Sequence, residues 1–275
     1  MKVVNHFLFD NSNKQVDFKA TPNKGGAYTP QYLVMHYTAS TVEKGSISWF
    51  LNKEAQASAH LLIDTDGSIT QFAPFNVVTW HAGVSEWNGL SGLNKFSIGI
   101  ELVNAGKLVR SGNSWISVLE KKPIADSEVI IAAHRNDPNN SGGWQMYSEI
   151  QLQVAAEVAA VLVKAYSLKD VVGHDEIAPH RKVDPGPAFP MSSFRSRAVG
   201  RKEGKPVPFV TTTDVNIRSG AGTQFATISD ALPKNTTVEI LKREGSWALV
   251  DVTDHVHGLN DLEGWVFSKF LSEKK

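Results

Sequence analysis

The chain has 275 residues, enough for one sizeable domain and a small one, and carries 28 basic against 28 acidic side chains. That balance supplies no net field to draw it to nucleic acid or into an anionic membrane. The absence of cysteine excludes disulfides, thiolate nucleophiles and thiolate metal sites, so any zinc has to be held by His and carboxylate, and it leaves the chain free of redox constraint on its compartment.

The first ten residues hold one Lys and a broken apolar patch, without the continuous hydrophobic region or the small-residue cleavage site of a Sec signal peptide. No stretch approaches the roughly 20 apolar residues of a membrane span. The expectation is a chain made in the cytoplasm, with no membrane insertion, that reaches any other compartment by a route other than Sec.

Residues 32–37 form a short apolar run that ends on His36 and reads as a strand, followed by a helical pattern over 42–52. Two further strands, 60–64 and 68–72, are joined by Asp66-Gly67, a hairpin signal. The run 96–103 also reads as a strand, in which Ile98, Ile100 and Leu102 share one face and Ser97, Gly99 and Glu101 the other. A carboxylate among small residues implies open space above that face, hence a cleft in which Glu101 could serve as a general base; a solvated strand face is the rival reading. Residues 105–143 are polar and irregular and read as a long loop near the site. A helix over 148–166 follows from the spacing of Ile150, Val154, Val158, Val161 and Leu162, with Ala filling the gaps.

The segment 174–187 packs two imidazoles, a lysine and several carboxylates into a turn-rich stretch containing three prolines, which stiffen it without regular structure. A His closing a strand together with a His and an Asp on such a loop is a recipe for a three-ligand Zn²⁺ site with one open position. Each histidine alone is more often a hydrogen-bonded structural residue, and His6, His60, His134, His180, His255 and His257 stay in that category. The chain has no His-Glu-x-x-His, no Gly-x-Ser-x-Gly and no phosphate loop of the Walker type. Metal-assisted hydrolysis is the chemistry left.

Composition shifts at the charged, Gly- and Pro-bearing stretch 200–209, which reads as a linker between a domain over 1–199 and another over 210–275. Beyond it only short strand patterns occur, at 215–218, 237–242, 247–252 and 264–267, as in a small barrel of five or six strands. Trp247 and Trp265 are either ligand platforms or core residues, and core is the expectation for so small a barrel.

Five blocks occur in the order found in the type 2, zinc-dependent N-acetylmuramoyl-L-alanine amidases: His36-Tyr37-Thr38-Ala39, Ser58-Ala59-His60, Trp80-His81-Ala82-Gly83, Ser97-Ile98-Gly99-Ile100-Glu101, and Gly173-His174 through Phe189. From 31 to 189 the chain resembles that family, which includes anhydromuropeptide amidases, phage amidase lysozymes and peptidoglycan recognition proteins. The resemblance implies an α/β fold, a mixed central sheet flanked by helices, and cleavage of the amide between N-acetylmuramic acid and L-alanine in peptidoglycan or muropeptides. It implies His36, His174 and Asp184 as zinc ligands, Glu101 as the base acting on the attacking water, Lys182 as the cation that stabilises the oxyanion, and Trp80 and His81 as residues lining the substrate cleft. One departure is Ala59, where phage and animal relatives carry a catalytic Tyr; this places the site nearer the anhydromuropeptide type. The 105–143 region is long for the family.

Val215-Asn216-Ile217-Arg218-Ser219-Gly220, Gly245-Ser246-Trp247 and Glu263-Gly264-Trp265-Val266 make the C-terminal part similar to a bacterial SH3 (SH3b) domain, with an unusually long hairpin loop at 253–262. Such modules tether catalytic domains to cell-wall polymer. The resemblances imply action on the wall after release by a holin or a secretion machine, with a delivery apparatus or an immunity protein as conceivable partners, or recycling in the cytoplasm. The alternative reading is a non-catalytic peptidoglycan-binding protein.

Overall fold

Alternation along the strand Tyr32–Tyr37 sets the architecture of the first module in the computed structural model, which describes residues 1–199, 208–259 and 262–274. Leu33 and Met35 point to one side, and Tyr32, Val34 and His36 to the other. Its neighbours, Ser97–Leu102 and Asp170–Gly173, both run parallel to it. The six-stranded sheet has the order Asp170–Gly173, Tyr32–Tyr37, Ser97–Leu102, Leu61–Ile63, Ile69–Gln71, Asp17–Phe18. Its first four strands are parallel, and Leu61–Ile63 then turns back through a hairpin into Ile69–Gln71. The sheet is mixed, as expected.

One face is covered by the helix Glu149–Tyr166. Ser148 caps its start by accepting from the Gln151 amide at 3.2 Å. Leu152, Ala155, Val158, Ala159 and Leu162 pack on Leu33, Met35, Ile98, Ile100 and Leu102, and the small Ala side chains let the helix approach the sheet closely. Gln151, fully buried, donates from Nε2 to the carbonyls of Ile63 and Val103 at 3.0 and 3.1 Å, pinning the helix to two strand ends. The helix Met191–Val199, which the sequence pattern did not disclose, adds Phe194 and Ala198 to the same layer. On the opposite face the helix Glu43–Leu51 contributes Phe50 to a cluster with Leu62 and Phe72, while Ala82 and Leu93 cover Val34 and Val172. A cleft remains between these two patches, over the carboxyl ends of the parallel strands. No helix among the described residues is long and apolar enough to cross a membrane.

The expected loop 105–143 is ordered. It holds a three-stranded sheet, Leu108–Ser111, Ser114–Ser117 and Pro123–Ile124, and a hairpin of Val129–His134 with Asp137–Gln145. The second strand of that hairpin is Asn- and Gly-rich, a composition that argues against a strand. Its Gly143 is required because the Trp115 ring lies where a Cβ would sit, at 2.7 Å.

The second module is an antiparallel five-stranded sheet in the order Leu262–Phe267, Trp247–Val252, Thr237–Glu244, Pro208–Thr211, Leu271–Glu273. The expected strand at 215–218 pairs only through isolated bridges of Val215 with Leu232 and of Arg218 with Thr227 and Trp265. Residues 200–207 of the connector, and 260 and 261 of the expected hairpin loop, lie outside the described residues. Trp247 and Trp265 are not core residues. Ala248, Val250, Val252 and Val266 point inward, and strand alternation therefore turns both indoles outward to half-buried positions.

Replacing Gln151 by Leu leaves the Val103 carbonyl without its donor, while the Ile63 carbonyl keeps the Val103 amide at 3.0 Å; urea unfolding should show a loss of about 1–3 kcal/mol.

Candidate metal centre

The parallel register makes His36 and Glu101 direct partners on adjacent strands, so their side chains leave the sheet on the same face. His174 follows directly after the strand Asp170–Gly173, on the far side of the His36 strand. The loop beyond it returns Asp184, whose carbonyl accepts from the Asp175 amide at 2.7 Å. Three segments thus meet at the carboxyl edge of the sheet, where ligands of open α/β sheets bind.

His36 Nδ1, His174 Nδ1 and Asp184 Oδ2 lie 2.9 Å from one another, and all three residues are buried. The outer nitrogens fix the tautomers. His174 Nε2 donates to the Ala82 carbonyl at 3.0 Å, leaving a lone pair on Nδ1. His81 Nε2 donates to the Ser97 carbonyl at 3.2 Å, so His81 Nδ1 accepts from His36 Nε2 at 3.0 Å, and His36 Nδ1 also presents a lone pair. Burial, then the neighbouring His174, pushes the His36 pKa down to about 4, and the two imidazoles hold the Asp184 carboxyl well below the usual carboxylate range, after burial has opposed them. With these tautomers, the two Nδ1 atoms and the Asp184 carboxylate aim three lone pairs at one point. This donor set fits a divalent cation, with hydrogen-bond partners that orient both rings.

Glu101 lines the same cavity, about 700 Å³ in volume, together with Lys182, Trp80, Trp49 and Thr38. Burial, and then the Asp184 charge, raises its pKa well above the ordinary value, while Lys182 opposes the shift. Its Oε2 is buried without a hydrogen-bond partner. The space above Gly99 is not open: the His81 ring fills it, and a Cβ there would lie 2.4 Å from the ring. The small residues beside Glu101 make room for the His81 ring behind His36, and the cleft begins beyond it. His81 lines the cavity, but both its nitrogens are engaged, so its part is to hold His36. His60 is structural, as expected: its Nε2 donates to the Val77 carbonyl at 2.9 Å and its Nδ1 accepts from the Gly99 amide at 3.1 Å.

Sequence reasoning missed the apolar rim. Trp49 is 55% exposed and Leu119 66%, both at the cavity mouth. A Trp on the outward face of the Glu43–Leu51 helix was the available signal; Leu119 carried none, because its segment had been read as loop. The loop behind the centre is splinted from the inserted hairpin. His134 Nε2 donates to Asp175 at 3.0 Å, Asn136 donates to the carbonyls of Asp175 and Pro179 at 3.0 and 3.1 Å, and Trp144 packs where a Cβ on Gly186 would lie.

Fold and site define a mixed-sheet α/β protein with a metal-binding cleft of the hydrolase kind. The chain belongs to the N-acetylmuramoyl-L-alanine amidase family, whose profile matches residues 26–187, and residues 213–272 match the bacterial SH3 domain. It is 35% identical to 1,6-anhydro-N-acetylmuramyl-L-alanine amidase AmpD of Escherichia coli (strain K12) over 142 residues, 51% of this chain and 57% of that one. It is 31% identical to N-acetylmuramoyl-L-alanine amidase AmiD of the same organism over 177 residues, 61% of this chain and 53% of that one. The chain thus spans little more than half the length of these curated relatives. The crystal structure of a selenomethionine derivative of AmpD superposes with a TM-score of 0.52 at 25% identity, covering 72% of this chain and 99% of that one.

If His81 orients His36 as described, His81→Phe should weaken divalent-cation affinity by about 10–100-fold, as lost outer partners of ligating imidazoles do. Competition with a chromogenic chelator measures it.

Proposed function

We propose that the chain is a zinc amidase that hydrolyses the amide between N-acetylmuramic acid and L-alanine in peptidoglycan or muropeptides. The observation that carries this reading is the convergence of His36, His174 and Asp184 beside Glu101 in one cleft. The chain is built as a catalytic part over 1–199, a connector over 200–209 and a wall-tethering module over 210–275. His36, His174 and Asp184 are the ligands, and imidazole with carboxylate suits Zn²⁺. Bound there, the ion supplies Lewis acidity, polarising a carbonyl and making a water molecule easier to deprotonate.

The chain's own groups do the rest. Glu101 takes the proton of the attacking water and passes it to the departing amine of L-alanine, a role suited to a carboxylate whose pKa is raised by burial. Lys182 brings a fixed positive charge to the cavity, where negative charge develops on the carbonyl oxygen. Trp80 and Trp49 offer flat apolar surface to the sugar or lactyl group at the mouth. A purely binding role gives no reason for Glu101 to stand, buried, beside three converging donor atoms.

Chelation should abolish release of stem peptide from a purified muropeptide, and added Zn²⁺ should restore it; release that survives a chelator refutes the reading. Glu101→Gln should retain bound zinc while kcat falls by about 10²–10⁴-fold. Lys182→Met should lower kcat by roughly 10²–10³-fold with a smaller effect on KM, the pattern of a group acting on the transition state.

A further inference from the structure

A second cavity, about 630 Å³ in volume, lies between the two modules. The seam around it is fixed by two carboxylates of the second sheet. Glu263 accepts from the Ser193 amide at 2.9 Å, in the first turn of the Met191–Val199 helix, and Asp251, 3% exposed, pairs with Arg197 at 3.2 Å. One wall is the turn His134–Asn136 with Asp175; the other holds Arg218, Phe225, Lys242 and Trp265. Ligand pockets of proteins are of this size and favour domain interfaces.

A charge inventory shows what the cavity can receive. Asp175 is engaged by His134 and Arg135, Arg135 by Glu176, and Glu263 by the Ser193 amide. Arg218 uses one nitrogen on the carbonyls of Phe225 and Thr223, at 2.8 and 3.4 Å, which leaves the other N–H groups of its guanidinium. Lys242 stands 5.6 Å over the Trp265 ring, and its bridge to Glu244 is an exposed one, 3.0 Å long, that an incoming anion displaces at little cost. Two cations beside an outward-turned indole suit a carboxylate next to an apolar group.

We infer that the seam cavity is a second binding site, for a short peptide bearing free carboxylates, and that neither module holds the complete site alone. The identity of the peptide as the stem of a muropeptide rests on the amidase reading; the site and its charge preference do not. The geometry also joins this site to the metal centre. Asp175 lines the cavity, follows His174 in the chain and donates its amide to the Asp184 carbonyl at 2.7 Å. An occupant of the seam therefore leans on the loop that carries two of the three ligands.

The test uses the full chain carrying Glu101→Gln, titrated with the tripeptide L-Ala-D-γ-Glu-L-Lys by calorimetry and by amide chemical shifts. Binding should weaken roughly tenfold on adding Lys242→Glu, an exposed position that does not disturb folding, and also weaken with added salt. Shifts should map to 134–136 and to 218–225. Equal tripeptide affinity with and without Lys242→Glu, or shifts confined to the residues around Trp80 and Thr38, overturns the seam site. Absence of muropeptide hydrolysis by the parent chain would instead overturn the amidase reading and leave the titration to stand by itself.

Discussion

Three lone pairs that meet 2.9 Å apart in a buried space repel one another, and a cation between them relieves that repulsion. Burial pushes the His36 pKa down to about 4, and the outer nitrogen of each imidazole donates to a neighbour that fixes its ring, so the arrangement suits a bound cation. The fold around the centre serves this constraint. Ala82 and Ser97 supply the carbonyls that anchor the two tautomer chains, Gly99 leaves room for the His81 ring, and the hairpin Val129–His134 with Asp137–Gln145 braces the loop from behind. Glu101 then stands beside the ligands at an elevated pKa because the same burial that favours cation binding penalises its charge.

Much of this was legible in the residues. Period-two alternation in Tyr32–Tyr37 and Ser97–Leu102 gave both strands within a residue or two, and it correctly put Glu101 on the face away from Ile98, Ile100 and Leu102. The helix Glu149–Tyr166 announced itself through apolar spacing, with Ala filling the gaps. The sheets at 108–145 did not, because most of their strands are short, and the long strand Asp137–Gln145 is exposed over its first half and rich in Asn and Gly, with only a small cluster of Ala105, Leu108 and Ile124 beneath Trp115 and Val129.

The site was half visible. The resemblance to the amidase family pointed to His36, His174, Asp184, Glu101 and Lys182, which line one cavity. What a one-dimensional pattern could not convey is that His81 faces inward to His36 and that the room over Gly99 belongs to its ring. The two tryptophans of the second module were misjudged for a related reason: size suggested core, whereas the parity of Ala248, Val250 and Val266 sends the indoles outward. In a small barrel, parity outranks bulk.

The direct pairing of Glu101 with His36 has an evolutionary corollary. Adding or deleting a single residue between Ser97 and Glu101 would roll the carboxylate into the oily layer beneath and bring a leucine or isoleucine up to the metal. Length can therefore drift where the chain crosses from one strand to the next, but not within the strands. The spacing inside these few residues is the part of the sequence least open to revision, whatever substrate its descendants come to process.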